Sequence, residues 1–171
     1  MLLVSTVAPS GCALFSKFEE SKVAVPEKNT PREQTQVAEQ QYRTAQQTVD
    51  VDQRKSEFRK AIVAFRRVGE RFPDDTTYAP AASLMVADLY VEIEDFKRAE
   101  KAYRQTIAGY ESVPDVHASA LAGLGETLIK LDRAIEGQAR LQELMDLYGT
   151  SENPVIRQRV RQAQRELNRV R

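Results

Sequence analysis

Asp95-Phe96-Lys97-Arg98-Ala99-Glu100-Lys101-Ala102-Tyr103-Arg104-Gln105-Thr106-Ile107 reads as a helix in which a small residue, Ala99, stands one turn before a large aromatic, Tyr103. The same design recurs 38 residues away on either side. Upstream it is Phe58, Ala61 and Phe65; downstream it is Ala134, Gly137 and Leu141. Phe72, Tyr110 and Tyr148 keep the 38-residue spacing as a second marker. A fixed period of this size signals stacked helical hairpins, because one hairpin cannot bury both its apolar faces alone. The small residue permits close helix approach, and the aromatic one turn later fills the neighbouring gap. The spacing predicts an all-α helical-hairpin solenoid of about three repeats with a C-terminal capping helix.

Composition agrees and excludes several function classes. Lys and Arg number 25, and so do Asp and Glu, so no global field favours nucleic acid or an anionic membrane. Trp is absent and Gly and Pro are sparse, which suits helices better than a sandwich of short strands. One Cys and one His make an internal disulfide impossible and a zinc cage of the usual ligands unexpected. No nucleophile has a base at useful spacing. Asp74-Asp75 reads as a turn, since no loop of alternating oxygen ligands follows. Gly123 and Gly125 lie inside a helix and serve packing, not phosphate. His117 reads as a surface or capping residue. No catalytic residue, cofactor, metal, nucleic acid or small-molecule substrate is expected.

Outward from the central stretch, seven helices are predicted. The first, about 32–50, has Thr30 as N-cap, Pro31 at its first position and Glu33 in its first turn. Its thin apolar stripe is Val37, Tyr42, Ala45 and Val49. The second, about 53–71, buries Phe58, Ala61, Ile62, Phe65 and Val68, and Phe72-Pro73 ends it. The third, about 77–93, presents Ala81, Leu84, Ala87 and Tyr90 on one side. The fourth runs over about 96–111, the fifth over 115–130 and the sixth over 133–148. The seventh, 154–170, is polar around one apolar stripe, as a cap should be. Its arginines circle the helix with no aromatics between them, which argues against nucleic acid and for pairing with acids such as Glu143 and Asp146.

This constellation resembles the tetratricopeptide repeat. The middle unit carries it best, with Ala87 at the Gly-like position, then Tyr90, Ala99 and Tyr103. The third unit has Gly125, Leu128, Gly137 and Leu141, and the period is 38 where the family has 34. Phe72-Pro73-Asp74-Asp75-Thr76-Thr77-Tyr78-Ala79-Pro80-Ala81 is similar to linkers in bacterial envelope members. Two groups are comparable: the lipoprotein subunit of the outer-membrane β-barrel assembly machine, and the periplasmic cell-division coordinator of the Tol–Pal system. The resemblance implies a non-catalytic scaffold that holds other envelope proteins or peptides. A soluble cytoplasmic adaptor of the same fold is the alternative.

Residues 1–12 read as a partial signal segment ending in Pro9-Ser10-Gly11-Cys12, which resembles a bacterial lipobox. Ser10 and Gly11 fit it and Pro9 departs from it. Cys12 is then the lipidation site, and the location is the periplasmic face of a membrane, the outer membrane by preference. A frayed apolar terminus with an incidental cysteine is the other reading. Residues 13–32, with Pro26 and Pro31, read as a flexible tether ahead of an array spanning 33–171. In tetratricopeptide arrays the first helix of each pair lines the concave face. The resemblance places Asp50, Asp88 and Glu126 there, 38 apart, as an acidic ladder flanked by Val91, Glu92, Ile129 and Lys130. The ladder is either a groove for a basic or amphipathic peptide or a solvated face that keeps the array soluble.

Overall fold

A computed structural model describes residues 23–169. The signal-like segment 1–12, Cys12 and the first part of the tether lie outside the described residues. Seven helices follow in order: α1 (Pro31–Gln47), α2 (Val51–Arg71), α3 (Tyr78–Glu92), α4 (Phe96–Gly109), α5 (Pro114–Lys130), α6 (Ala134–Tyr148) and α7 (Pro154–Arg169). No strand occurs among the described residues. Each helix packs on the next. The first helices of successive hairpins, α1, α3 and α5, also touch in sequence, whereas α2 and α4 do not touch each other. That pattern is an all-α helical-repeat solenoid.

The 38-residue design sits where it should. Ala61 and Ala99 are fully buried in α2 and α4, and Gly137 is buried at the matching place in α6. Phe65, Tyr103 and Leu141 are buried one turn later. In the third hairpin the backbones nearly touch: a Cβ on Gly137 would lie 2.6 Å from the Gly125 carbonyl oxygen. Only a residue without a side chain allows that crossing.

Local chemistry sets the helix ends. Thr30 caps α1 by accepting the Glu33 N–H at 3.2 Å. Asp75 caps α3 by accepting the N–H groups of Thr77 and Tyr78, which hold its carboxyl below the usual range. The two later hairpins turn identically. Glu94 and Asp132 adopt positive φ of 61° and 60°. Each donates its N–H three residues back into the last turn, to Val91 and Ile129, while the following residue donates to Tyr90 or Leu128. These are Schellman motifs, again 38 apart, built on residues other than glycine.

Four expectations are corrected. From Val23 onward the tether is docked. Gln34, fully buried, donates to the Pro26 carbonyl and accepts the Lys28 N–H, and Glu27 pairs with Arg67 and Arg71. Val49 is 90% exposed, because α1 has ended before it. His117 is neither on the surface nor a cap: it is buried, with Nδ1 2.8 Å from the Tyr148 hydroxyl, and so ties α5 to α6. Glu143 and Asp146 are engaged within α6 by Arg140 and Gln142, not by the arginines of α7.

Candidate functional site

The predicted ladder keeps two of its three rungs. Asp50 is not among them. Its carboxylate caps α2, accepting the Gln53 N–H at 2.8 Å, and it is exposed on the α1–α2 turn. The first hairpin turns earlier than the 38-residue period requires, which carries Asp50 off the inner helix layer. Asp88 on α3 and Glu126 on α5 come near enough for Asp88 to oppose the ionisation of Glu126, while Glu92 opposes that of Asp88. Of the flanking residues, Val91 packs onto the main apolar cluster. Ile129 is drawn into its hairpin, with Cγ1 only 2.7 Å from where a Cβ on Gly137 would stand. Glu92 and Lys130 are exposed at the ends of α3 and α5.

The pair is built from four helices. Tyr103 on α4 crosses between α3 and α5 and donates its hydroxyl to Asp88 at 2.6 Å. The crossing needs Gly123: a Cβ there would lie 2.3 Å from the Tyr103 ring. Gln162 on α7 donates to Glu126 at 2.6 Å. Arg159, anchored by a 3.3 Å bond from Nε to the Ser119 hydroxyl, acts on both carboxylates from a distance. Among the described residues neither carboxylate forms an ion pair. Burial raises both carboxyls above their ordinary range, against the pull of these donors and of Arg159. Burial also pushes the Tyr103 hydroxyl up, with Asp88 adding to it. The arrangement can receive a cationic side chain; it contains no nucleophile–base pair. No group of metal-ligating side chains occurs among the described residues.

Residues 28–146 match the family model of a tetratricopeptide repeat-like domain. The chain belongs to that family. No curated protein matches it. The tetratricopeptide repeat-like assignment covers all but the last helix of the array, and it fits the inner layer of α1, α3 and α5 just described.

One concavity of this tetratricopeptide repeat-like array escaped the sequence reading. A cleft of about 830 Å³ opens between α2 and α4 with α3 as its floor. Val86 and Tyr90 line it and stand two residues either side of Asp88, so it faces away from the acidic pair. Its walls carry Arg66, Arg67, Arg98 and Lys101. The signal was present as the adjacent Arg66 and Arg67 on one second helix and Arg98 and Lys101 on the next, but nothing in a linear reading joins 66–67 to 98–101. No helix of the described residues is long and apolar enough to cross a membrane.

Proposed function

We propose that this protein is a non-catalytic scaffold of the bacterial cell envelope, held to a membrane through Cys12, whose inner layer captures a basic segment of another envelope protein. The carrying observation is the state of Asp88 and Glu126. Both are half-buried, and each is met at contact distance by one neutral donor, Tyr103 or Gln162. A half-buried carboxylate with no cation at contact distance carries a desolvation cost that an arriving Lys or Arg relieves. A partner helix or peptide with a basic side chain gains here what it would not gain on a solvated face. The family's habit of binding proteins and peptides supports the same reading.

Two experiments test it. Asp88→Lys combined with Glu126→Lys should abolish capture of partners from solubilised envelope, and the milder Asp88→Asn with Glu126→Gln should weaken it while the fold persists. Undiminished capture by both pairs would remove the site. Metabolic labelling with a lipid precursor should mark the wild type and not Cys12→Ser; an unlabelled wild type would leave the cytoplasmic adaptor as the surviving form.

A further inference from the structure

Residues 23–28 are held against the array by contacts spread along their length. Gln34 grips the Pro26 carbonyl at 3.1 Å and the Lys28 N–H at 2.9 Å. Glu27 reaches Arg71 at 2.6 Å and Arg67 at 3.4 Å, and Arg71 donates to the Lys28 carbonyl at 3.2 Å. Val25 packs on the main apolar cluster, and Val23 lines the cleft between α2 and α4. From Lys28 back to Val23, the backbone thus leads from the C-terminal end of α2 into that cleft.

The cleft has room and chemistry for what precedes Val23. Val63, Val86 and Ala102 give it a buried apolar lining. A Cβ added at Gly69 would meet nothing within 4 Å. Arg66 and Lys101 stand on the two walls, and Arg66 donates to the Tyr90 hydroxyl at 2.7 Å. None of Arg66, Tyr90 and Arg98 is without a partner, and Glu70 answers Arg67 at 3.7 Å, so the cleft is no empty cationic trough waiting for an outside anion. Along α3 the lining runs from Ala79 to Tyr90, a rise of about 16 Å. Phe18-Glu19-Glu20-Ser21-Lys22 comes immediately before Val23. Five extended residues span at most about 17 Å, the length of that lining.

We propose that Phe18–Lys22 of this chain occupies the α2–α4 cleft, with Phe18 on the apolar lining and Glu19 and Glu20 beside Arg66 and Lys101. The tether thereby closes the outer concavity of its own array and leaves the Asp88–Glu126 face open to a partner. With Cys12 as the anchor, a consequence that rests on the proposed function, the array is held within about 20 Å of the bilayer surface. The docking is tested without the anchor, on the full chain carrying Cys12→Ser. Cleavage after Glu19, Glu20 and Lys22 by a Glu-specific protease and trypsin is compared with that of a synthetic peptide of residues 13–28. Proteolysis follows the population of the opened form, so the chain should be cut at least about tenfold more slowly than the peptide. Gly69→Leu fills the cleft and raises helix propensity; it should restore the peptide's rate while far-UV circular dichroism stays unchanged. Glu19→Lys with Glu20→Lys should speed cleavage after Lys22, and that pair stands ahead of every helix, so its effect does not depend on the array's stability. A wild-type chain cut at the peptide's rate overturns the proposal and leaves the cleft to another occupant. So does protection that both variants leave in place, or protection that grows with protein concentration, which would assign the segment to a second copy. Loss of the lipid label on Cys12 would remove the anchor and leave this docking standing.

Discussion

Gly123→Ala adds one methyl group, and the structure assigns it a large effect. The new Cβ would lie 2.3 Å from Tyr103 Cζ, 2.5 Å from Cε1 and 2.6 Å from the hydroxyl oxygen. Tyr103 is 3% exposed and has little room to retreat. Overpacking of this kind costs about 1–3 kcal/mol. If the ring moves it also breaks the 2.6 Å bond to Asp88. Hydrogen bonds to a charged group are worth about 1.5–3 kcal/mol, and Asp88 has no second donor at contact distance. Against this, Ala is better than Gly in a helix by about 0.8–1.0 kcal/mol. The balance is a destabilisation of about 2–5 kcal/mol. Urea unfolding followed by far-UV circular dichroism should show a lower midpoint with an unchanged slope. The cause is isolated by repeating the substitution in a Tyr103→Leu background. With no ring to strike, Gly123→Ala should there be neutral or stabilising by about 1 kcal/mol. A Gly123→Ala protein as stable as the wild type would refute the crossing of Tyr103 between α3 and α5.

The α5–α6 turn should improve with glycine. Asp132 stands at φ 60° and makes no side-chain hydrogen bond among the described residues, and a left-handed non-glycine residue costs about 1–2 kcal/mol against about 0.5–1 kcal/mol of extra chain entropy for Gly. Asp132→Gly should therefore raise stability by roughly 0.5–1 kcal/mol, seen as a higher denaturation midpoint, and a lower midpoint would mean the carboxylate has a role at the turn. Asp88 gives a pH signature. Burial raises its carboxyl above 3.8, so its ionisation opposes folding: the penalty is absent below the ordinary carboxylate range and complete above the raised value. Asp88→Asn keeps an acceptor for Tyr103 and removes the charge. Its stability advantage over the wild type should grow from acid towards neutral pH in urea melts, and an advantage that shrinks over that range would contradict the burial.

What could be read from the sequence was what repeats. Ala61, Ala99 and Gly137 are confined by helix crossings, and a crossing restricts residue size at one position without help from distant chain. Thr30 was legible because a cap is a local bond. The losses have the opposite character. Gln34 looks like one more polar residue of a Gln-rich helix, yet it is the anchor of residues 26–28 and fully buried. Its partners come from a proline-containing stretch that reads as spacer. Glu94 and Asp132 hide their turns because the left-handed position usually announces itself as Gly. Asp50 kept the 38-residue spacing and lost the ladder, since a displaced turn moves a residue to another layer without altering its number.

α3 explains why the site was only half visible. A helix with few neighbours has one face to bury and writes it as a stripe, as α4 does with Ala99, Ala102, Tyr103 and Thr106. α3 touches α1, α2, α4 and α5. Its buried residues, Ala79, Pro80, Ala82, Val86, Ala87, Leu89 and Tyr90, therefore run round the helix, and Ala81, expected inside, is exposed. Periodicity fades where neighbours are most numerous. On such a helix the informative residues are the polar ones, because each must find a partner across a defined interface. Ser83 meets Thr106 at 2.8 Å on the cleft side, and Asp88 meets Tyr103 on the other. Two polar side chains on opposed faces of an otherwise apolar helix mark two openings. The opening on the Asp88 side is the one to which the basic partner is assigned, and a variant that fills the cleft on the Ser83 side should leave binding there intact.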